Sequence, residues 1–311
     1  MDFERWRSAV GALGLPAREN LHVTLVAKEP VDLPGWLGSA LHGALGQAVM
    51  RLDCRPSCGK DHAPRSGRRC LFARLFGEPA PRADLPGRLR MARPVPLLLR
   101  PPPPGRERVL PRGRSIELGV VLLGSAAADA ARVVLALERM AHAGLGRGRG
   151  RLALGSVYSE TEPAARLRPP ELAVDPLAVE VAARTPLRLL RKHSQVSNPD
   201  FTDLLGAAIF RVASVAAYHG QGVVDLSMEE VRALAQGVSC EEARWEPFSV
   251  DRYSSRQDQH HPMEGVLGRA RFVGPIRPFL CVLEEAGRLG VGKSPSFGFG
   301  LLEVSAKPRG C

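Results

Sequence analysis

Four groups of residues in this 311-residue chain have types and spacings that could do chemistry. Near the C-terminus, GRLGVGKSPSFGFG (Gly287 to Gly300) opens with eight residues that satisfy the phosphate-loop pattern G-x-x-x-x-G-K-[ST], with Lys293 and Ser294 as its last two letters. In the first quarter, Cys54, Cys58, His62 and Cys70 share one polar loop, CRPSCGKDHAPRSGRRC. They are the donors of a tetrahedral zinc site, although C-x3-C-x3-H-x7-C is not a common finger spacing. Without metal, the same residues are vestigial ligands in a basic loop. Eight histidines (His22, His42, His62, His142, His193, His219, His260 and His261) offer proton transfer near neutral pH. In GLGRGRGR, glycines alternate with Arg147, Arg149 and Arg151, a spacing that lets guanidinium groups follow a phosphate backbone closely.

The elements that must position these groups are legible in the hydrophobic periodicity. LHVTLVAKEP alternates as a strand does. From Leu33 to Leu52, apolar residues recur at Leu33, Leu37, Leu41, Leu45, Val49 and Leu52, which predicts a helix. Two strands follow around the proline-rich, basic connector of VPLLLRPPPPGRERVLPRGRSIELGVVLLG, which carries Arg106, Arg108, Arg112 and Arg114. AADAARVVLALERMAHA is a second helix, ended by the glycines of GLGRGRGR, and RLALGSVYSE is a fourth strand. The resulting order, β-α-β-β-α-β, is the ferredoxin-like arrangement.

The order recurs after a proline-containing boundary at Arg168 to Pro176. LAVEVAARTPLRLLRKH reads as a strand, ending in Arg188, Arg191 and Lys192 beside His193. Asp200, after Asn198-Pro199, starts the helix of DFTDLLGAAIFRVASVAAYHG. A short helix from Met228 to Gln236, a β-rich stretch from Ala243 to Val273, the helix of IRPFLCVLEEAGRLG and the strand LLEVSAK complete it. The expected fold class is therefore α+β, with two tandem ferredoxin-like domains at 1–165 and 175–311. Each half ends as helix, glycine-rich loop, strand.

That order decides the phosphate-loop question. A nucleotide-binding P-loop lies between a strand and a helix, whose N-terminus supplies amides and dipole to the phosphates. Here a helix precedes the motif and Pro295, Gly298 and Gly300 oppose one after it, so nucleoside triphosphate hydrolysis is not expected. The same glycines, Lys293 and the hydroxyls of Ser294 and Ser296 instead suit contact with a polynucleotide backbone. Phe297 or Phe299 could stack a base, and Phe299 is expected to anchor the loop in the core.

Composition agrees. Hydrophobic residues make up 44% and charged ones 24%, the balance of a chain that buries a core. Lys plus Arg outnumber Asp plus Glu by 43 to 32, a net charge of +11 that favours a polyphosphate partner. Only five of those bases are lysine (28, 60, 192, 293 and 307). No run approaches the ~20 apolar residues of a membrane helix, and MDFERWRSAV has no apolar signal core. A cytoplasmic protein without membrane partners is expected, and such a compartment argues against disulfides; Cys240, Cys281 and Cys311 are isolated.

RYSSRQ (Arg252 to Gln257) and MEGVLGRARFVGPIRPFLCVLEEAGRLGVGKSPSFGFGLLEV resemble the C-terminal region of the CRISPR-associated repeat-processing endoribonucleases, the Cas-six family of the RAMP superfamily. GSALHGALGQAVMRLDC, the cysteine cluster with CLFARLFGEP, and GLGRGRGRLAL are similar to the N-terminal half of the same family. At Gly290 the chain departs from relatives that often place a histidine before V-G-K.

The resemblance implies a metal-independent endoribonuclease that cuts precursor CRISPR RNA within its repeats. The upstream 2′-hydroxyl attacks the phosphate, leaving a 2′,3′-cyclic phosphate and a 5′-hydroxyl. No cofactor is required for that chemistry, and zinc, if bound, is structural. The partners implied are CRISPR repeat RNA and subunits of a CRISPR effector complex. A non-catalytic repeat-binding subunit of such a complex is the alternative.

A base and an acid near neutral pH suit histidine, and charge stabilisation suits Lys or Arg. His42 is the first choice, because it lies off the Leu37/Leu41/Leu45 stripe, next to Gly43 and four residues from Gly38 and Gly46, on a face expected to leave the imidazole accessible. Packing is the competing role. His260 and His261, in a polar basic loop, are the alternatives; His219 reads as a helix C-terminal cap and His22 as structural. The expected RNA contacts are Arg147, Arg149, Arg151, Arg252, Arg256, Lys293, Ser294, Ser296 and Phe297.

Overall fold

The computed structural model describes residues 3–54, 58, 70–106, 108–169, 177–224, 226–254 and 259–308. The chain divides into two compact units. One comprises residues 16–82 and 93–164, and the other residues 1–15, 83–92 and 165–311.

The first unit runs β1 (Arg18–Ala27), β2 (Val31–Leu33), α1 (Gly38–Asp53), α2 (Leu71–Leu75), β3 (Leu97–Arg100), β4 (Arg108–Leu110), β5 (Ser115–Leu123), α3 (Ala130–Ala143) and β6 (Leu152–Glu162). Its antiparallel sheet has the order β3-β5-β1-β6. Alternation puts Leu21, Val23 and Leu25 of β1 on the buried face, against Leu41, Leu45 and Val49 of α1 and Val133, Leu137 and Met140 of α3. The helix expected from Leu33 begins at Gly38 instead. Pro34 and Gly35 interrupt it, and Val31–Leu33 pairs with Arg108–Leu110 as a two-stranded ribbon.

The second unit contains β7 (Leu177–Leu187), α4 (Phe201–His219), α5 (Met228–Leu234), β8 (Ser239–Ser254), β9 (Gln259–Gly274), α6 (Leu280–Leu289) and β10 (Leu302–Pro308). The sheet order is β8-β9-β7-β10. Numbering the four strands of each sheet by chain order gives the same permutation, 4-1-3-2, in both units. The fold is two tandem ferredoxin-like units, as the periodicity predicts. Asp200 caps α4 as expected: its carboxylate accepts from the Asp203 amide at 2.8 Å, and Asp203 accepts from the Asp200 amide at 3.2 Å. By length and composition α4 could cross a membrane, but 72% of its apolar window is buried inside the protein.

The first fifteen residues and 83–92 belong to the second unit, which moves them across the expected boundary at 165. The N-terminal helix Phe3–Gly11 buries Trp6 completely, edge-on to Phe279 at 5.3 Å, with its Nε1 donating to the Pro278 carbonyl at 3.1 Å. In segment 83–92, Leu89 is buried and Arg88 Nη1 donates to the Leu226 carbonyl at 2.8 Å. A nine-residue helix has too little apolar surface to stand alone, so tertiary packing chooses its partner.

Candidate nucleic-acid interface

In the first unit, the loop from Gly144 to Arg151 joins α3 to β6 and exposes Arg147, Arg149 and Arg151. Its glycines bring the chain against β2, where the Arg147 amide donates to the Asp32 carbonyl at 2.9 Å. Gly146 has φ +75°, and a Cβ there would lie 1.9 Å from the Asp32 carbonyl oxygen, so no other residue fits. Gly148, also at positive φ, has open space around it. The glycine alternation thus serves two ends: it seats the loop and spaces the arginines. Arg151 is drawn into a pair with Glu29, whose carboxylate accepts from the Arg151 amide at 2.9 Å and its guanidinium at 3.3 Å. Those bonds hold the Glu29 carboxyl below its ordinary pKa.

In the second unit, the loop after α6 begins at Gly290 and ends at β10. The phosphate-loop letters Gly287, Arg288 and Leu289 lie inside the helix, and a strand follows the motif, the inverse of a nucleotide-binding P-loop. The Lys293 amide donates to the Arg188 carbonyl at 2.9 Å, and Lys293 itself is exposed. Ser294 takes a left-handed conformation (φ +63°) and opens a single 3-10 turn over Pro295–Phe297. The carbonyl of Ser294 accepts from the Phe297 amide. Ser294, Ser296 and Phe297 are half-buried, whereas Phe299 is fully buried, edge-on to Phe248 at 6.3 Å. Phe299 is thus the anchor expected of it. At Gly290, φ is +82° and a Cβ would lie 2.8 Å from the Phe299 carbonyl oxygen, so this backbone holds no histidine there.

Sequence reasoning passed over the residue that fixes the start of this loop. Arg211, on α4, is buried, and its Nε and Nη2 donate to the Leu289 carbonyl at 3.2 and 2.9 Å. That carbonyl is one of the unpaired acceptors at the C-terminal end of α6, where a cation is favoured. Burial pulls the Arg211 pKa down to about 10, which leaves it charged at neutral pH. The available signal was an arginine inside the apolar run GAAIFRVASVAA. Arg191, by contrast, is taken up by Asp203 and Asp200 at the start of α4.

His42 projects from α1, half-buried, and meets Phe76 edge-to-face with ring centroids 5.1 Å apart. Phe72 stacks on Phe76 at 5.1 Å, and both rings lie over Gly46. The glycine face of α1 is therefore partly covered by aromatic rings from the α2 segment, not left open along its length; Gly43 keeps free space. The first-choice histidine stands in the first unit, together with the arginine loop. His260 and His261 pair by backbone with Tyr253 and Arg252 in the β8–β9 hairpin, and the side chains of Arg252, His260 and His261, with all of Arg256, lie outside the described residues.

The structure gathers Cys54, Cys58 and Cys70, whose sulfurs lie within 4.8 Å of one another. His62 lies outside the described residues. Burial first, then the neighbouring Cys70 and Cys58 thiols, push the Cys54 pKa up to about 12. Cys54 is thereby held as a neutral thiol unless a cation joins it.

Each of the two tandem ferredoxin-like units presents a glycine-rich loop with an exposed basic side chain. Residues 181–302 match the family model of the CRISPR-associated endoribonuclease Cas6, and residues 16–174 match a second model described as an N-terminal domain. Residues 181–302 thus carry the domain of the Cas6 endoribonuclease family. Comparison with curated protein sequences gives no match. Among solved structures, Thermus thermophilus Cas6 superposes with a TM-score of 0.54 at 14% identity, over 95% of this chain and 100% of that one. A Cas6 product complex gives 0.53 at 18% identity, over 93% and 100%. A partial Cas6-RT-Cas1–Cas2 complex gives 0.61 at 13% identity, over 95% of this chain. This chain spans 47% of that protein and 29% of its counterpart in a second Cas6-RT-Cas1–Cas2 structure. These likenesses establish the fold.

Proposed function

We propose that this protein binds CRISPR repeat RNA in the cytoplasm and cuts it within the repeat, without a metal ion, by attack of the upstream 2′-hydroxyl on the scissile phosphate. The O2′–P bond forms as the P–O5′ bond breaks, and the products carry a 2′,3′-cyclic phosphate and a 5′-hydroxyl. The match of residues 181–302 to the endoribonuclease family carries the reading. The structural likeness to a Cas6 product complex supports it.

The reaction needs a base for the 2′-hydroxyl, an acid for the leaving oxygen and cations for the phosphorane charge. We assign the base to His42, whose ring is half-exposed and held edge-to-face with Phe76. Arg147, Arg149 and Lys293, all exposed, supply phosphate contacts, and Phe297, half-buried in its turn, is the stacking residue. His42→Ala is expected to slow cleavage of a cognate repeat by 10²–10⁴-fold, the range for a lost general base, with circular dichroism unchanged. Wild-type cleavage by that variant removes His42 from the mechanism and leaves His260 and His261.

One observation favours a second reading, a subunit that holds the repeat without cutting it. The family resemblance implies a histidine where this chain has Gly290, and the backbone there has no room for one. Incubation with repeat RNA in EDTA separates the two: cyclic-phosphate ends establish the enzyme, and stable binding with intact RNA establishes the subunit.

A further inference from the structure

We propose that Cys54, Cys58 and Cys70 bind one zinc ion, which ties the C-terminal end of α1 to the start of α2 and so holds the Phe76 ring against His42.

The geometry carries the argument. Zinc thiolate bonds are about 2.3 Å, so two sulfurs on a tetrahedral ion stand ~3.8 Å apart. Cys54 Sγ and Cys70 Sγ are 3.7 Å apart, and all three sulfurs fall within 4.8 Å of one another. A disulfide would need about 2.05 Å. Soft thiolates in a tetrahedral set select zinc over hard cations. Among the described residues, no other His, Cys, Asp and Glu side chains gather in this way.

The ligands also sit where the fold needs a tie. Cys54 is the C-cap of α1, its amide donating to the Met50 carbonyl at 2.9 Å. Cys70 is the N-cap of α2, its side chain does not cap the helix, and its sulfur stands 3.7 Å from that of Cys54. The neighbouring carboxylate is already committed, because Asp53 Oδ2 accepts from the Leu71 amide at 2.6 Å. Five residues make α2 too short to hold itself in place. Leu71 and Leu75 fix it in the core, and Phe72 and Phe76 lie over Gly46. A metal joining residues sixteen apart in sequence acts as a cross-link between the end of α1 and the start of α2.

The experiment uses the full chain purified without added metal under reducing conditions. Elemental analysis is expected to find about one zinc per chain, and replacement by Co²⁺ to give the intense visible bands of a tetrahedral, sulfur-rich site. Cys54→Ser and Cys70→Ser should each lose the zinc and those bands. Should a variant fail to fold, the cobalt titration of the wild-type apoprotein decides the matter alone. Chelation is expected to speed amide exchange across residues 71–76 while the β1 and β5 amides stay protected. Zinc below about a tenth per chain with no cobalt bands, zinc retained in both serine variants, or a Cys54–Cys70 disulfide in freshly purified protein would each overturn the proposal. None of these readouts involves RNA, so they stand apart from the cleavage reaction.

Discussion

The two glycine-rich loops occupy the same place in their units, between the last helix and the last strand, yet they hold themselves by different means. The first has no buried aromatic of its own and is seated by backbone contact with β2, so its glycines are structural and its arginines stay outside. The second is seated by a side chain, Phe299, and by Arg211 at the end of the preceding helix, and exposes a single lysine beside a half-buried phenylalanine. One loop is built to present charge and the other to present a shaped turn. A repeated topology therefore does not imply a repeated role.

Phe299→Ala is the most severe way to break the contrast. It removes a fully buried ring and is expected to cost about 3–5 kcal/mol in chemical denaturation. Arg149→Ala, at an exposed position in the first loop, should stay within about 0.5 kcal/mol. A small loss for Phe299→Ala would show that the second loop is not held by its aromatic anchor.

Within the first loop, Gly146→Ala and Gly148→Ala separate close approach from backbone conformation. Both positions have positive φ, which costs a side chain about 1–2 kcal/mol. Only Gly146 also faces the Asp32 carbonyl, so its substitution should exceed that figure while Gly148→Ala stays near it. Equal losses would contradict the seating on β2.

Binding distinguishes the loops by salt. If the first presents charge, Arg147→Ala with Arg149→Ala should reduce the salt slope of repeat-RNA binding by about 2, and Lys293→Ala by about 1. An unchanged slope in the double variant removes the arginine loop from the interface. The smallest effect is expected from Glu29→Gln, which releases Arg151 and should tighten RNA binding by about twofold. Because Arg151 holds the Glu29 carboxyl below its usual range, mild acid alone should not mimic that substitution.

Much of the fold could be read from residue order. The spacing of Leu37, Leu41, Leu45 and Val49 predicts α1, the alternation of LHVTLVAK predicts β1, and Asp200 marks the start of α4, since periodicity and capping are local properties of the chain. The inverted order around GRLGVGKS was legible for the same reason. The site was less so. Arg147 and Lys293 announce themselves by type, but that Glu29 would claim Arg151, or that Asp203 would claim Arg191, depends on residues far away in sequence or on a turn not visible in it.

The sequence by itself determined the repeated β-α-β-β-α-β order, the basic excess and the positions of glycine, because hydrophobic period, charge and backbone freedom are written residue by residue. Only the tertiary structure decided that Trp6 belongs with Phe279, that Phe72 and Phe76 cover Gly46 beside His42, that Arg211 closes the helix before the second loop, and that three cysteines spread over seventeen positions meet within 4.8 Å. Each of these is a contact between distant segments, set by which surfaces the two cores leave to be filled, and no local pattern encodes it.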